Sequence, residues 1–231
     1  MVVWRPANGT WYFRNSSTGF SLVEAIQWGL LGDKPLVGDF DGDGKDDIAV
    51  HRGSNGVFYS LLSSAGFDRE GALSGTPNRS LAVQLGNSEF DAMAADINGD
   101  GRDDFVTVWQ PQRLWFAKDS DDNLISQLGW GVPGDEAKSC DWDGDGAADS
   151  VIARDNHETW LKEWYVVSPT GAVYTDQFGL VGDKTGCSAD YDGDGNNDLR
   201  VWRPGDGNWF IKSGNAPERM IQWGLFGDIP L

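Results

Sequence analysis

The apolar positions of this chain come in runs of three or four, rich in β-branched and aromatic residues, and are separated by Gly, Pro, Asn and Asp. Ile48-Ala49-Val50, Phe105-Val106-Thr107-Val108, Val151-Ile152-Ala153 and Leu199-Arg200-Val201-Trp202 form one set. Val57-Phe58-Tyr59, Leu114-Trp115-Phe116, Trp164-Tyr165-Val166 and Trp209-Phe210-Ile211 form a second. A third set ends in Gln-apolar-Gly: Gln84-Leu85-Gly86, Gln127-Leu128-Gly129, Gln177-Phe178-Gly179 and Gln222-Trp223-Gly224. Such runs predict short strands joined by turns, and no stretch carries a helical period.

The three sets recur in the same order, so the chain is a repeat. A further copy stands at the N-terminus as Val3-Trp4-Arg5-Pro6, Trp11-Tyr12-Phe13 and Gln27-Trp28-Gly29. Four connections between copies carry one template at residues 39–47, 96–104, 141–149 and 190–198, with first residues 57, 45 and 49 positions apart. That spacing fits a blade of four short strands. The expectation is an all-β propeller forming a single domain over 1–231, with the acidic loops between strands of a blade. Its five four-stranded blades span roughly 1–36, 37–91, 92–136, 137–185 and 186–231. The closing residues 227–231 match Gly32-Asp33-Lys34-Pro35-Leu36, which lead into the first loop. Two readings stay open: a ring of five blades cut inside one loop, or a stretch of a longer array.

The loops carry the chemistry. Positions 1, 3, 5 and 9 are Asp39, Asp41, Asp43 and Asp47; Asp96, Asn98, Asp100 and Asp104; Asp141, Asp143, Asp145 and Asp149; and Asp190, Asp192, Asp194 and Asp198. Position 7, occupied by Lys45, Arg102, Ala147 and Asn196, would offer a backbone carbonyl, which leaves its side chain free to vary. Ca²⁺ is a hard cation that takes six to eight oxygens, and alternate positions of a tight loop converge on one point. Three or four carboxylates in nine residues would repel one another without a cation. An EF-hand would need a Glu at position 12, but Val50, Thr107, Ile152 and Val201 stand there and continue into strands. The cofactor expected is Ca²⁺, at four structural sites.

Charge fits this picture. The formal net charge is −18, from 36 acidic and 18 basic residues, and four bound Ca²⁺ would bring it to −10. An acidic surface repels phosphate backbones and anionic lipid, so neither nucleic acid nor membrane is an expected partner. No apolar run is long enough to cross a bilayer as a helix, so membrane insertion is not expected. The first residues, Met1 to Pro6, show neither a charged leader nor an apolar stretch; the protein stays where it is made, or a leader has been removed. The two cysteines, Cys140 and Cys187, each shortly precede an acidic loop. Buried free thiols and a disulfide between neighbouring repeats both remain open, the latter suiting an oxidising compartment.

With the loop, the strand after it and the Trp-rich hairpin in view, the chain resembles the FG-GAP/VCBS repeats of integrin-α-type calcium-binding β-propellers, in their bacterial form with Trp-Arg-Pro and Gln-Trp-Gly signatures. The resemblance covers essentially the whole chain. It implies structural calcium on a loop within each blade and a place on extracellular adhesins, lectin-like proteins or secreted enzymes. The Phe-Gly…Gly-Ala-Pro sequence is absent and integrin heads have seven blades, so no integrin ligand is implied.

Catalysis is not expected from the residues. His51 stands where Trp4, Trp109 and Trp202 stand in other copies, and His157 lies in a polar turn. No Gly-x-Ser-x-Gly elbow is present, and the carboxylates are better used as metal ligands than as a glycosidase pair. The recurring tryptophans suit packing between blades, or stacking on sugar rings. Trp130 and Trp160 fall outside the repeat pattern and are the candidate ligand contacts. The function expected is non-catalytic carbohydrate recognition at the cell exterior, with a protein-binding or scaffolding role as the alternative. Oligomeric state is left open.

Overall fold

The computed structural model describes residues 2–14, 19, 21, 23–187, 189–214 and 217–222. The repeat residues Trp223 and Gly224 and the segment 227–231 lie outside them.

The fold is all-β and of the five-bladed β-propeller class. Five antiparallel sheets follow one another in sequence, each a meander of consecutive strands. Sheet 1 has three described strands, β1 (Val2–Arg5), β2 (Thr10–Phe13) and β3 (Glu24–Gln27). The other four have four each. Sheet 2 is β4 (Lys34–Gly38) to β7 (Ser80–Gln84), with β5 (Asp47–Arg52) and β6 (Val57–Leu61) at its centre. Sheet 3 is β8 (Phe90–Ala95), β9 (Asp104–Trp109), β10 (Leu114–Lys118) and β11 (Leu124–Gly129). Sheet 4 is β12 (Glu136–Cys140), β13 (Asp149–Asn156), β14 (Leu161–Val167) and β15 (Val173–Leu180). Sheet 5 is β16 (Lys184–Gly186), β17 (Leu199–Arg203), β18 (Asn208–Lys212) and β19 (Arg219–Gln222). In sheets 2 to 5 the acidic loop joins the first strand to the second, and its ninth residue opens or directly precedes that second strand.

The chain divides into two compact units. One holds Met1–Ala95, Gly101–Gln110 and Leu114–Leu128; the other holds Asp96–Asp100, Pro111–Arg113 and Gly129–Leu231. Within the first, Trp11 and Phe13 pack on Ile48, Val50 and Leu61, and Phe40, Phe58 and Phe105 form a second cluster. Within the second, Trp164, Val166 and Phe178 of sheet 4 pack on Leu199 and Val201 of sheet 5. In each case apolar strand faces are stacked sheet on sheet, which buries what a single three- or four-stranded meander cannot.

A disulfide joins Cys140 to Cys187, with Cα atoms 5.9 Å apart. The absence of helix is corrected by one turn: α1 (Arg69–Leu73), capped by Asp68 accepting from the Gly71 amide. It lies in the 62–79 connection and is too short to show a period. Phe67 from this connection stacks on Phe13, with centroids 5.5 Å apart. Among the described residues no helix is long and apolar enough to cross a membrane.

Candidate metal loops and recognition surface

Each acidic loop is a tight coil that wraps its own amides around its first carboxylate. Asp39 Oδ1 accepts from the amides of Gly42 and Asp43, and its Oδ2 from Gly44. Asp141 does the same in its loop, while Asp190 Oδ1 accepts from the amides of Asp192 and Gly193 and its Oδ2 from Gly195. Positions 4 and 6 must therefore turn with positive φ, as Gly42 (77°) and Gly44 (80°) do. The Gly195 and Gly193 amides hold the Asp190 carboxyl below the usual carboxylate range.

Position 9 behaves in the opposite sense. Asp47, Asp104, Asp149 and Asp198 are buried, because each sits where the loop enters the core strand. Each of Asp47, Asp149 and Asp198 accepts from the amide at position 2, from Phe40, Trp142 and Tyr191 respectively, and so latches the loop shut. Asp47 also accepts from the Ser63 amide. Burial pushes Asp47 up to about 6, with the charge of Asp41 adding to it. Burial likewise pushes Asp149 up to about 6, with Asp143, Asp141 and Asp145 adding to it.

Carboxylate oxygens converge in three loops. One oxygen each from Asp39, Asp41 and Asp43 lies within 4.8 Å of the others; so do those of Asp141, Asp143 and Asp149, and those of Asp190, Asp192 and Asp194. Asp149 is wholly buried and its Oδ1 has no hydrogen-bond partner, and a buried Oδ1 of Asp41 has none either. Desolvated, unpartnered carboxylate oxygens aimed at other carboxylates are costly in the bare protein. In the loop at 96–104, Asn98 donates to Asp100 and Asp96 accepts from Gly99 and Asp100. At position 7, Lys45 turns its ammonium to Asp43 (3.3 Å) and Arg102 reaches Ser120. The amides of Ala147 and Asn196 donate to Asp145 and Asp194.

The two tryptophans read as off-pattern separate here. Trp130 is in the pattern after all. Its amide donates to Arg113 O (3.0 Å), as Trp28 does to Gly9 O (2.8 Å) and Leu85 to Gly56 O (2.7 Å). The repeat equivalent of Trp28-Gly29 is thus Trp130-Gly131, two residues beyond Leu128-Gly129, and Trp130 is partly buried. Trp160 is different. It is 65% exposed, the only described tryptophan in that class, and stands edge-on to His157 with centroids 6.2 Å apart. In this hairpin β13 and β14 run past the Arg154–Glu163 pair by two further pairs, Asp155–Lys162 and Asn156–Leu161. Lys162, buried beneath, holds Asp155 (2.7 Å) and Glu136 (2.9 Å). Burial works against its ammonium, but the two ion pairs outweigh it and the pKa rises. Trp160 also has φ +60°, at the turn position that Gly9, Gly56 and Gly207 fill elsewhere. The recurring Trp11, Trp115, Trp164 and Trp202 are buried, which is the packing role.

Sequence reasoning missed one constellation. Asp33, Asp135 and Asp183, just before a first strand, each clamp an arginine at or near the end of the second strand of the same sheet: Arg52, Arg154 and Arg203. Each Asp also accepts from a backbone amide three residues earlier, at Leu30, Val132 and Leu180. Its signal was visible as a recurring Gly-Asp some twenty residues before a recurring Arg.

No family model and no curated protein matches the chain. Among solved structures it is similar to virginiamycin B lyase from Staphylococcus aureus, with a TM-score of 0.58 at 7% identity, over 95% of this chain and 65% of that one. It is also similar to a functionally unknown protein from Desulfotomaculum acetoxidans, with a TM-score of 0.51 at 15% identity, over 98% of this chain and 65% of that one. The chain spans about two thirds of the length of either. At these identities the likeness defines the fold class alone. It nevertheless corrects one expectation: a lyase carries this fold, so the statement that the chain is not an enzyme does not stand. That statement rested on missing sequence motifs, and binding and catalytic residues are often carried by loops that a rigid scaffold positions, without a local motif.

Proposed function

We propose that the chain is a calcium-stabilised β-propeller recognition module that binds carbohydrate at the cell exterior. The observation that carries the ligand side is Trp160: a large aromatic face left in solvent, on a hairpin extended and anchored by a buried lysine, in a backbone conformation that disfavours it. Backbone strain of about 1–3 kcal/mol that survives at an exposed aromatic is the kind associated with ligand contact. Indole faces match the apolar faces of pyranose rings, and the neighbouring His157, Glu158 and Thr159 offer polar groups.

The calcium side is supported by the donor set. It is oxygen only, with no His or Cys in the loops, and it includes buried carboxylate oxygens that nothing else satisfies. Asp39, Asp41, Asp43; Asp96, Asn98, Asp100; Asp141, Asp143, Asp145, Asp149; and Asp190, Asp192, Asp194 would hold the ions, with the position-7 carbonyls completing the shell. Asp47, Asp104 and Asp198 belong to the same sets and latch or bury the loop ends. A bound ion would neutralise these carboxylates and favour the folded state. Millimolar calcium outside cells would fill weak sites, and the same chemistry supports grouping these repeats with the FG-GAP/VCBS type.

A protein-binding or scaffolding role is the second reading, favoured by the burial of the recurring tryptophans. A glycan-array screen of the wild type and Trp160→Ala, in roughly 2 mM Ca²⁺ and in EDTA, tests the first. Selective binding lost in the variant is the expected result. No glycan binding by a folded, calcium-loaded wild type would overturn it and leave the second reading.

A further inference from the structure

The four loops do not stand apart, and the links between them are of unequal strength. The first ligand residue of each of the first three loops is bonded through its main chain to position 8 of the following loop. The Asp103 amide donates to Asp39 O (2.8 Å), the Ala148 amide to Asp96 O (2.6 Å) and the Asn197 amide to Asp141 O (2.7 Å). In two of these three links the position-8 side chain returns a bond. The Asp39 amide donates to Asp103 Oδ2 (2.8 Å), and the Asp141 amide to Asn197 Oδ1 (3.2 Å). The middle link has Ala148, which carries no side-chain oxygen.

Resting on the calcium reading above, we infer that the four sites fill as two coupled pairs, 39–47 with 96–104 and 141–149 with 190–198, and that Asp103 and Asn197 are the positioning residues that couple them. The two-point clamp grips both the N–H and the C=O of Asp39 and of Asp141, the residues whose carboxylates organise their loops. Position 8 itself lies between the position-7 carbonyl and the buried Asp of position 9. An ion that orders one loop therefore fixes position 8, and through it the first ligand of the neighbouring loop. The second ion then meets a loop whose ordering entropy has already been spent, which is positive cooperativity.

Two further contacts tighten the pairs. A Cβ on Gly42 would come within 3.1 Å of the Arg102 side chain, and one on Gly144 within 2.2 Å of Asn196 Oδ1. In each pair the first loop's fourth position is therefore moulded to the seventh position of its partner. In the second pair the Cys140–Cys187 disulfide adds a covalent tie, since Cys140 directly precedes Asp141. The middle link is looser: a Cβ on Gly99 would lie at ordinary contact distance, 3.5 Å, from Ala147. An independent pointer to a ligand inside the second pair is the buried, unpartnered Asp149 Oδ1, in the cluster with Asp141 and Asp143.

The test is calcium titration of the stripped full chain by isothermal calorimetry, with melting curves taken alongside. The wild type should bind four ions with a Hill coefficient above one. Asn197→Ala should still bind four, with affinity in the second pair lowered about fivefold, the low end of typical coupling, and its steepness lost. Asn197→Asp, which copies the side chain found at Asp103, should restore the steepness. Ala148→Asn should add a clamp and steepen filling across the middle link. Four ions binding independently, with Asn197→Ala unchanged in titration, would overturn the coupling and leave the calcium reading intact. So would an Asn197→Ala that melts lower but titrates like the wild type. If no ion binds to the folded wild type, the calcium reading falls and the coupling with it.

Discussion

Arg203 grips Asp183 with two bonds, Nε to Oδ1 at 3.0 Å and a terminal nitrogen to Oδ2 at 2.9 Å, while its guanidinium lies 4.3 Å from the centre of the Phe210 ring. The same three-way contact joins Arg52, Asp33 and Tyr59, and Arg154, Asp135 and Tyr165. Each ties the turn before a sheet's first strand to the last residues of its second. The carboxylate is nearly buried in each case, and the guanidinium about a quarter to a third exposed.

Removing the arginine should therefore cost more than removing a surface partner, because it strands a buried carboxylate. Losing a fully buried partner costs about 3–5 kcal/mol; partial exposure of the arginine lowers the expectation for Arg203→Ala to about 2 kcal/mol. Arg203→Lys should recover less than half of that, since an ammonium cannot form the fork. Urea denaturation measures both. A loss below about 0.5 kcal/mol would reduce the clamp to an ordinary surface pair.

How much of this was legible beforehand depends on the reach of each signal. The sheets and acidic loops were readable because a short apolar run or a nine-residue template is written in adjacent residues. The clamps were not, because Asp183 and Arg203 lie twenty positions apart and meet only when the sheet forms. Trp130 was misplaced for a related reason. The β11 end supplies a Gln127-Leu128-Gly129 that mimics the repeat, and only the Trp130–Arg113 backbone bond shows which glycine turns the chain. The stabilising role of position 9 was also hidden, since burial of Asp47 or Asp149 is a property of the packed core and not of the loop.

His51 should make the protein acid-sensitive. Its ring is wholly buried against Phe58, Nε2 meets Leu85 O at 3.1 Å, and Nδ1 has no partner. Burial first, and Lys34 next, hold its pKa below the ordinary value, against the opposing pull of Leu85 O and Asp33. The unfolded chain thus takes up the proton first as pH falls. The stability His51 contributes is complete above about pH 6.5 and is lost as pH drops from there toward the folded-state value, at up to about 1.4 kcal/mol per pH unit. In calcium-saturated protein, His51→Phe should flatten the melting temperature between pH 6.5 and 5. An unchanged slope would assign the acid sensitivity to other groups.

Asp149 should act with the opposite sign once calcium is removed. Burial holds its folded pKa at about 6, above the ordinary carboxylate value, so the folded state takes up the proton first. The stripped protein should gain stability as pH falls from about 6 toward 4, and the gain should vanish in calcium. Asp149→Asn removes the buried charge while keeping the shape. It should stabilise the stripped protein at pH 7 by on the order of 2 kcal/mol and lose part of the calcium-induced rise in melting temperature. A variant that melts below the wild type both with and without calcium would show that Asp149 serves as a latch for the Trp142 amide alone.

Trp160 offers the sharpest test of the proposed recognition role, because the fold alone would favour a different residue there. Its φ of +60° belongs to a turn position where three other repeats use glycine. Its large side chain is 65% exposed, so little packing holds it there. A non-glycine residue in this conformation costs about 1–2 kcal/mol. Trp160→Gly should therefore leave the hairpin intact, since the Trp160 amide to Asn156 O bond and the Val181 amide to Trp160 O bond are both main-chain. It should raise stability by about 0.5–1 kcal/mol after allowing for the extra freedom of glycine in the unfolded chain. Ligand binding should fall at the same time. A variant that is both less stable and unchanged in binding would mean that the indole is held by packing and serves the fold, and the recognition surface would then have to be sought elsewhere.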